Sequence, residues 1–255
     1  MQVRDRVCVV TGGASGIGRA LARRFAADGA RAVVVVDRDA KGAEAVAGAV
    51  GGVGMQADVA REDDIRRVID DVETRCGPID LFCSNAGILV VGGPEVPNDD
   101  WQRIWDINVM AHVLAARHLV PRMLARGGGY LLQTASAAGL LSQVGSAPYA
   151  VTKHAAVAFA EWLAITYGDR GLTVSVLCPQ AVRTAMTDGI PGGGVAGIDG
   201  MLEADLVAEA VIEGLAAERF LILPHPEVAE YVRRKGEDVE RWLRGMRRLQ
   251  ARFGA

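Results

Sequence analysis

The chain has 255 residues, a formal net charge of −3 and a hydrophobic fraction of 50%. This length suits one large α/β domain, and the small net charge gives no reason to expect a nucleic-acid partner. Since no apolar run approaches the roughly 18–20 residues of a membrane span, and charges interrupt the amino-terminal apolar residues, we expect a cytoplasmic protein without a membrane partner.

Along the chain, short runs rich in β-branched residues alternate with longer stretches of helical apolar spacing. The helical stretches cover residues 17–28, 61–75, 101–126, 149–168 and 204–217. This alternation predicts an α/β fold: a single-domain Rossmann-type doubly wound parallel sheet of about seven strands with helices on both faces. The predicted strands are VCVVTG, AVVVVD, VGMQAD, IDLFCSNAG, YLLQTAS, LTVSVLCP and RFLILP.

A glycine-rich turn, TGGASGIGRA, follows the first strand and leads into a helix that begins near Ile17. Glycines let the backbone approach a pyrophosphate, and a helix N-terminus offers free N–H donors and the positive end of its dipole. The sequence therefore predicts that this turn binds the phosphates of a dinucleotide. The residues assigned to it are Gly12, Ser15, Gly16, Ile17 and Gly18.

The second predicted strand ends at Asp37. A carboxylate there accepts hydrogen bonds from the adenine-side ribose hydroxyls, and it repels a 2′-phosphate about 4 Å away by roughly 4 kcal/mol at an effective dielectric of 20. The sequence therefore favours NAD over NADP as cofactor. Two alternatives stay open, because Arg38 would offset part of the repulsion and because an aspartate at this place also caps strand ends.

Small and polar residues follow the third and fourth predicted strands. Asp58 and Val59 come after the third, and Asn85, Ala86 and Gly87 after the fourth. Ligands of doubly wound sheets bind at the carboxyl ends of the strands, so we assign these residues to the same cofactor site. Taken singly, each is equally typical of a turn.

Four sequence features occur together and in a fixed order. They are TGGASGIG, the NAG of residues 85–87, Ser136, and Tyr149 with Lys153 four residues later. With them the chain resembles the short-chain dehydrogenase/reductase family, in its subtype of about this length, over residues 5–224. The resemblance implies an NAD-dependent or NADP-dependent oxidoreductase that interconverts a secondary alcohol and a ketone by hydride transfer.

The resemblance assigns Tyr149 the role of general acid/base. A free tyrosine has a pKa of about 10 and is a weak base near neutrality, so its phenolate needs stabilisation. Pro148 suits the first turn of a helix, and we place Lys153 in that first turn as well. An ammonium about 4 Å from the phenolate would lower the pKa of Tyr149 by roughly three units. The family also assigns Lys153 a hydrogen bond to the nicotinamide ribose.

Further roles follow from the resemblance alone. Ser136 would hold the substrate oxygen, and Asn108, in WDINVMAHV, would hold a water that links the catalytic lysine to solvent. Val182 and Thr184 would contact the nicotinamide carboxamide. The chain departs from the family at Gln180, where the family has glycine, and we expect this turn to be reshaped.

We expect no metal site. His112, His118 and His154 have no cysteine or carboxylate at a matching ligand spacing, and we interpret them as structural. The four cysteines, Cys8, Cys76, Cys83 and Cys178, match neither a zinc pair nor a redox CxxC motif, so we expect buried reduced thiols.

Two segments lie outside the strand-helix alternation. Residues 187–203 are rich in glycine, lack a pattern of regular secondary structure, and form either a substrate lid or a slack connection. Residues 226–255 form an amphipathic tail beyond a catalytic domain of residues 1–225, and we expect Gly236 to divide it into two helices. The tail packs on its own domain or on a second subunit of a homo-oligomer, a dimer or tetramer.

The sequence therefore predicts an NAD-dependent alcohol oxidoreductase. Alternatives are an NADP-dependent carbonyl reductase, which Ser15 disfavours because NADP-preferring relatives often have a basic residue there, a non-catalytic NAD-binding sensor, and an epimerase-type relative. An apolar small-molecule alcohol or ketone is the expected substrate. This expectation follows from the family resemblance, since the segments that border the substrate side in the family contain apolar residues here. These residues are Leu89, Val90, Val91, Leu140, Leu141, Val144 and Met186.

Overall fold

The computed structural model describes residues 1–253 and contains nine β-strands. Seven of them form one parallel sheet in the spatial order β3-β2-β1-β4-β5-β6-β9. The strand order reverses between β1 and β4, where ligands of such sheets bind. The strands are β1 (Val7–Thr11), β2 (Ala32–Asp37), β3 (Val53–Gln56), β4 (Leu81–Ser84), β5 (Gly129–Thr134), β6 (Leu172–Leu177), β7 (Val182–Arg183), β8 (Leu202–Glu203) and β9 (Leu221–Ile222).

Helices cover both faces of this sheet, so the predicted doubly wound fold is confirmed. One buried apolar cluster joins the sheet to α3, α5 and α7, and a second joins its other face to α1, α2 and α8. The α-helices are α1 (Gly16–Ala27), α2 (Ala40–Val50), α3 (Glu62–Cys76), α4 (Asn98–Trp105), α5 (Ala111–Ala125), α6 (Ala138–Leu141), α7 (Ala147–Tyr167), α8 (Ala204–Ala216), α9 (Glu227–Glu237) and α10 (Val239–Phe253).

Two of the helix predictions, for residues 101–126 and for the first turn of α7, need correction. The stretch 101–126 is not one continuous helix, because a π-helical turn at Asp106–Met110 separates α4 from α5. Pro148 lies in the first turn of α7, as predicted, but Lys153 lies in the second turn because the helix begins at Ala147. The dipole at the helix N-terminus therefore opposes the lysine charge less than we expected, since it weakens beyond the first turn.

The glycine-rich segment is more regular than its composition predicts. Residues Pro191–Gly197 form 3₁₀ turns, in which Gly192, Gly193 and Gly194 have φ values of +59°, +78° and +58°. The parallel pair β7 and β8 joins the residues on either side of it. These left-handed glycines let the chain turn repeatedly within a short distance, so the segment is folded.

The tail forms two helices that pack on α6. Val228 of α9 is fully buried against Ala137 and Leu141, and Trp242 of α10 packs on the same cluster. The break between the helices falls at Asp238 rather than at the predicted Gly236. The reason is local, because the Asp238 Oδ1 accepts the Arg241 backbone N–H at 2.8 Å and so caps α10.

Within residues 1–253, no helix has both the length and the hydropathy that crossing a bilayer requires. The cysteines are free thiols in the structure. Cys8, Cys83 and Cys178 are buried as expected, whereas Cys76 at the end of α3 is only partly buried. It lies in the last turn, at the rim of the apolar cluster.

Candidate active site

The glycine-rich turn lies between β1 and α1, which begins one residue before the predicted Ile17. Gly12 and Gly16 have φ values of +64° and +51°. A Cβ on Gly12 would lie 2.8 Å from the Cα of Ala86, and one on Gly18 would lie 2.1 Å from the Gly12 carbonyl oxygen. Side chains are therefore excluded here, and the N-terminus of α1 stays accessible to a phosphate.

The Asp37 carboxylate, at the end of β2, holds the glycine-rich turn in place. Its Oδ2 accepts the Ala14 N–H at 3.0 Å, and its Oδ1 accepts the Asp39 N–H at 3.1 Å. Asp37 therefore does have the structural role that we left open, in which its carboxylate caps the end of a strand. A carboxylate has about four acceptor positions, so these two bonds leave capacity for ribose hydroxyls. Arg38 lines the same cleft.

Asn85 joins the ends of three strands. Its Nδ2 donates to the Thr11 carbonyl at 3.0 Å, and its Oδ1 accepts from the Thr134 hydroxyl at 3.2 Å. Its backbone N–H donates to the Thr11 hydroxyl at 2.9 Å. Our sequence reasoning missed both threonines, because threonine is a common strand former; the signal was a hydroxyl at the last position of a buried strand.

Lys153 and Tyr149 lie on one side of α7. The Lys153 side chain is buried, its Nζ donates to the Thr134 carbonyl at 3.0 Å, and that nitrogen lies 5.5 Å from the centre of the Tyr149 ring. Burial lowers the pKa of Lys153 to about 8. Ser146, which we did not predict, caps α7 by accepting the Tyr149 N–H at 3.3 Å and ties it to the Val90 carbonyl.

The pKa of Tyr149 shifts in the direction opposite to the one we expected. Burial raises the pKa of this phenol, and the neighbouring Ser136 hydroxyl opposes the rise. Desolvation is the largest contribution to this pKa, although the Lys153 nitrogen lies only 5.5 Å from the centre of the ring. Ser136 is buried; its hydroxyl accepts the Ala138 N–H at 3.1 Å and donates to the Pro179 carbonyl at 3.3 Å.

Asn108 lies in the π-helical turn and is fully buried. Its Oδ1 accepts the Ile88 N–H at 2.9 Å, and its Nδ2 donates to the Ile88 carbonyl at 3.0 Å and to the Thr152 hydroxyl at 3.3 Å. A Cβ on Gly87 would lie 3.3 Å from that Oδ1 and 3.4 Å from the Lys153 Nζ. Asn108 therefore binds the loop after β4 to α7 beside the lysine.

One cleft of about 1020 Å³ brings nearly all predicted site residues together at the carboxyl edge of the sheet. Gly18 and Asn108 lie behind its wall and do not line it. The predicted residues that line it are Gly12, Ser15, Gly16, Ile17, Asp37, Asp58, Val59, Asn85, Ala86, Gly87, Ser136, Tyr149, Lys153, Val182 and Thr184.

The sequence matches the short chain dehydrogenase family over residues 6–192. The chain belongs to the short-chain dehydrogenase/reductase family. It is 39% identical over 249 residues to the 1-deoxy-11-beta-hydroxypentalenate dehydrogenase of Streptomyces exfoliatus, with 94% of this chain and 90% of the relative covered. It is 32% identical over 195 residues to the meso-2,3-butanediol dehydrogenase of Serratia marcescens, with 75% and 77% covered.

A solved short chain dehydrogenase/reductase from Burkholderia phymatum, in complex with NAD, shares the fold. Its TM-score is 0.86 at 28% identity, with 94% of this chain and 96% of that chain covered. As a family member, the chain is an oxidoreductase of hydroxyl and ketone groups that uses NAD or NADP. Its residues fit such a dinucleotide, because the glycine-rich turn has no room for side chains and Asp37 keeps free acceptor positions beside it.

The departure at Gln180 does not strain the backbone, since its φ lies outside the left-handed region. Its N–H donates to the His225 Nδ1 at 3.2 Å, and its Nε2 donates to Asp199 at 3.0 Å. The Tyr231 hydroxyl donates to the other oxygen of Asp199 at 2.9 Å. In this short-chain dehydrogenase/reductase the turn therefore connects the glycine-rich segment to the tail.

The apolar residues that we assigned to the substrate side have different surroundings. Leu89, Val91 and Met186 line the cleft, and Leu141 lines a neighbouring cavity. Val90 and Leu140 pack into apolar clusters, and Val144 lines neither cavity.

The three histidines that we interpreted as structural have separate surroundings. His112 is buried, and burial lowers its pKa to about 3. The His118 Nε2 lies 3.0 Å from the Glu62 carboxylate, and the His154 Nδ1 lies 2.8 Å from the Ala150 carbonyl oxygen. In the part of the chain that the structure describes, no three His, Cys, Asp or Glu side chains are grouped to hold a metal.

Proposed function

We propose that the chain is an NAD-dependent oxidoreductase that interconverts a secondary alcohol and a ketone, with Tyr149 as general acid/base. The observation that carries this proposal is that Ser136, Tyr149 and Lys153 line the same cleft as the glycine-rich turn and Asp37. The cofactor, when bound, supplies the hydride acceptor or donor. The chain's own residues then have to position the alcohol and move its proton.

Each catalytic side chain has a defined role in this proposal. The Ser136 hydroxyl binds the substrate oxygen and holds it beside the Tyr149 hydroxyl, which takes the proton in oxidation and returns it in reduction. Burial raises the pKa of Tyr149 and so favours the protonated form of its hydroxyl. Lys153 binds the nicotinamide ribose and stabilises the phenolate, and Asn108 holds the loop after β4 beside this lysine.

The preference for NAD is supported by Asp37. Its carboxylate lines the cleft next to the glycine-rich turn, where it accepts ribose hydroxyls and repels a 2′-phosphate. Arg38 also lines this part of the cleft and favours the second candidate, an NADP-dependent carbonyl reductase. We place NAD first because Ser15, at the N-terminus of α1, brings no positive charge for a second phosphate.

An apolar alcohol is supported by the apolar side chains that line the cleft in addition to the cofactor residues. They are Leu89, Val91, Met186 and Ile190. The Streptomyces and Serratia relatives are named for hydroxylated compounds with hydrocarbon skeletons. The folded segment of residues 187–203 covers the same side through Thr187, Ile190, Gly193 and Ala196, so we propose that it is the substrate lid.

The test is an activity screen with NAD and NADP against secondary alcohols of graded size and polarity, with Tyr149→Phe beside the wild type. We expect turnover with NAD, and its loss by at least about a hundredfold in Tyr149→Phe while NAD still binds in calorimetry. Tyr167→Phe is the matched control, since Tyr167 lies at the far end of α7. Preference for NADP would contradict the Asp37 argument, and NAD binding without turnover of any alcohol would favour the sensor.

We further propose a homo-oligomer, a dimer or tetramer, through the outer face of α7. Val151, Trp162 and Ile165 share this face and are 48%, 53% and 84% exposed. Ile165→Glu should lower the sedimentation coefficient to that of a smaller species. Leu206→Glu on α8, where the leucine is 53% exposed, should leave it unchanged. Equal sedimentation of the Ile165 variant and the wild type would exclude this interface.

The cytoplasmic location of the protein stays a prediction from the sequence.

A further inference from the structure

A second cavity of about 360 Å³ adjoins the active-site cleft, and we call it the tail compartment. Ser136, Gln143, Gln180 and Ala196 line both spaces, so the two adjoin at the serine assigned to the substrate oxygen. Its volume lies within the range of small-molecule sites, about 300–1,000 Å³. The tail compartment therefore lies where it could hold the remote part of a substrate bound at Ser136.

The walls of the tail compartment come from α6, the glycine-rich segment and the carboxyl-terminal helices. Leu141, Val195 and Ile198 form the apolar side. Helix α10 contributes one face, since its lining residues recur with helical spacing. These residues are Arg241, Trp242, Gly245, Met246, Arg248 and Leu249.

The charges on this wall leave two arginines without an acidic partner. Arg234 pairs with Glu230 at 2.7 Å, and Glu237 pairs with Arg233. Asp238 is used as the cap of α10. Within residues 1–253, no carboxylate forms an ion pair with Arg241 or Arg248. Both line a mostly apolar space, to which Arg234, Glu237 and Asp238 also contribute. A mostly apolar space with two unmatched guanidinium groups fits an apolar molecule that carries an anion.

We propose that Arg241 and Arg248 bind a carboxylate on the remote end of the substrate, so that the preferred substrate is a cyclic hydroxy acid with an apolar skeleton. This proposal rests on the proposed alcohol oxidation. Arginine suits the task because its planar guanidinium donates two parallel hydrogen bonds to a carboxylate. The tail is then a specificity element of the active site, and neither arginine takes part in hydride or proton transfer.

The experiment compares each hydroxy acid with its own methyl ester, which has the same skeleton and no charge. The two acids are 4-hydroxycyclohexanecarboxylic acid and a fused-ring hydroxy acid, and each is paired with its methyl ester. All four compounds are tested with the full chain and saturating NAD. We expect the wild type to have a 10- to 100-fold higher kcat/KM for the acid, about the contribution of a charge-assisted hydrogen bond. The preference should decrease as salt is added, because both arginines are exposed to solvent.

The double variant Arg241→Met with Arg248→Met should lower kcat/KM for the acid to that of the ester and leave the ester within twofold of the wild type. Arg241→Lys with Arg248→Lys should retain part of the preference, because lysine keeps the charge without the planar donors. The matched control is Arg244→Met with Arg247→Met, which removes the same charge from the exposed side of α10 and should change nothing.

Calorimetric titration with the two hydroxy acids separates failure of this proposal from failure of the proposed function. If no alcohol is turned over but the acid binds the wild type and not the double variant, the carboxylate site stands and the oxidoreductase assignment falls. Equal turnover and equal binding of acid and ester by the wild type would overturn the carboxylate site alone. An equal loss of kcat/KM for acid and ester in the double variant would also overturn the carboxylate site, because it would indicate that the tail has only a structural role.

Discussion

The two walls of the active-site cleft are built in different ways. On the cofactor side, glycine backbones contact other backbones and partly buried hydrogen bonds join the strand ends, as at Gly18 and Asn85. On the substrate side, exposed side-chain hydrogen bonds connect the glycine-rich segment to the tail through Gln180, Asp199 and Tyr231. Backbone contacts constrain a wall more than exposed side-chain bonds do, so we expect the cofactor side to tolerate less change.

The largest effect should come from Gly18→Ala on the cofactor side. The new Cβ would lie 2.1 Å from the Gly12 carbonyl oxygen, which a fixed turn cannot relieve. We expect the free energy of unfolding in urea to fall by about 3 kcal/mol and NAD binding to be lost in calorimetry. Gly48→Ala is the control, since nothing lies within 4 Å of that position in α2 and alanine should stabilise the helix. Wild-type stability of Gly18→Ala would refute the tight turn.

Replacing Lys153, which lies between the two walls, should have the next largest effect on stability and turnover. Burial lowers its pKa to about 8 from 10.5, so the unfolded chain binds more protons between these pH values and stability rises with pH there. Lys153→Met removes this dependence. We expect the variant to be more stable at pH 7 and its advantage to shrink by about 2 kcal/mol between pH 8 and 10, while turnover is lost. A constant advantage across this range in urea unfolding would contradict the buried charge.

The cofactor side of the cleft was easier to predict from the sequence than the substrate side. The seven sheet strands and the glycine-rich turn were predictable, because buried parallel strands need continuous apolar runs and a close phosphate approach needs glycine. Thr134 was missed, since its carbonyl bond to Lys153 depends on the positions of β5 and α7 in space. The reversed pKa direction of Tyr149 was missed for a related reason, because burial is a property of the folded cleft.

The substrate side was less predictable. Gln180 was recognised as a departure, but its partners His225 and Asp199 lie 45 and 19 residues away in the sequence. The π-helical turn that carries Asn108 has the same apolar spacing as a continuous helix, so the pattern predicted one. Contacts between distant side chains leave no periodic signal, and these contacts define most of this wall.

Asp37 tests whether the cofactor wall also sets the cofactor choice. Asp37→Asn keeps the side-chain shape and removes the charge that repels a 2′-phosphate. We expect the ratio of the Kd values for NADP and NAD to decrease by about 30-fold, equivalent to roughly 2 kcal/mol. Asp39→Asn, which changes a neighbouring carboxylate that does not line the cleft, should leave the ratio unchanged. An unchanged ratio in Asp37→Asn would assign this residue to turn structure alone.

Tyr231→Phe should have the smallest effect, and it tests the substrate wall by itself. The variant loses the exposed hydrogen bond from the hydroxyl to Asp199, so the Asp199 carboxylate keeps only the bond from Gln180. Since an exposed hydrogen bond contributes about 1 kcal/mol or less, we expect KM for the alcohol to rise by up to about fivefold. The Kd for NAD and the thermal midpoint should not change, because the cofactor wall has no contact with this bond.

Tyr167→Phe is the control for this last variant, because it removes a tyrosine hydroxyl that makes no hydrogen bond to another described residue. If Tyr231→Phe weakened NAD binding as much as alcohol binding, the two walls would be energetically coupled. The separation between a backbone-built cofactor wall and a side-chain-built substrate wall would then be wrong. A change in KM alone supports it, because the bond then acts only on the segment that covers the substrate.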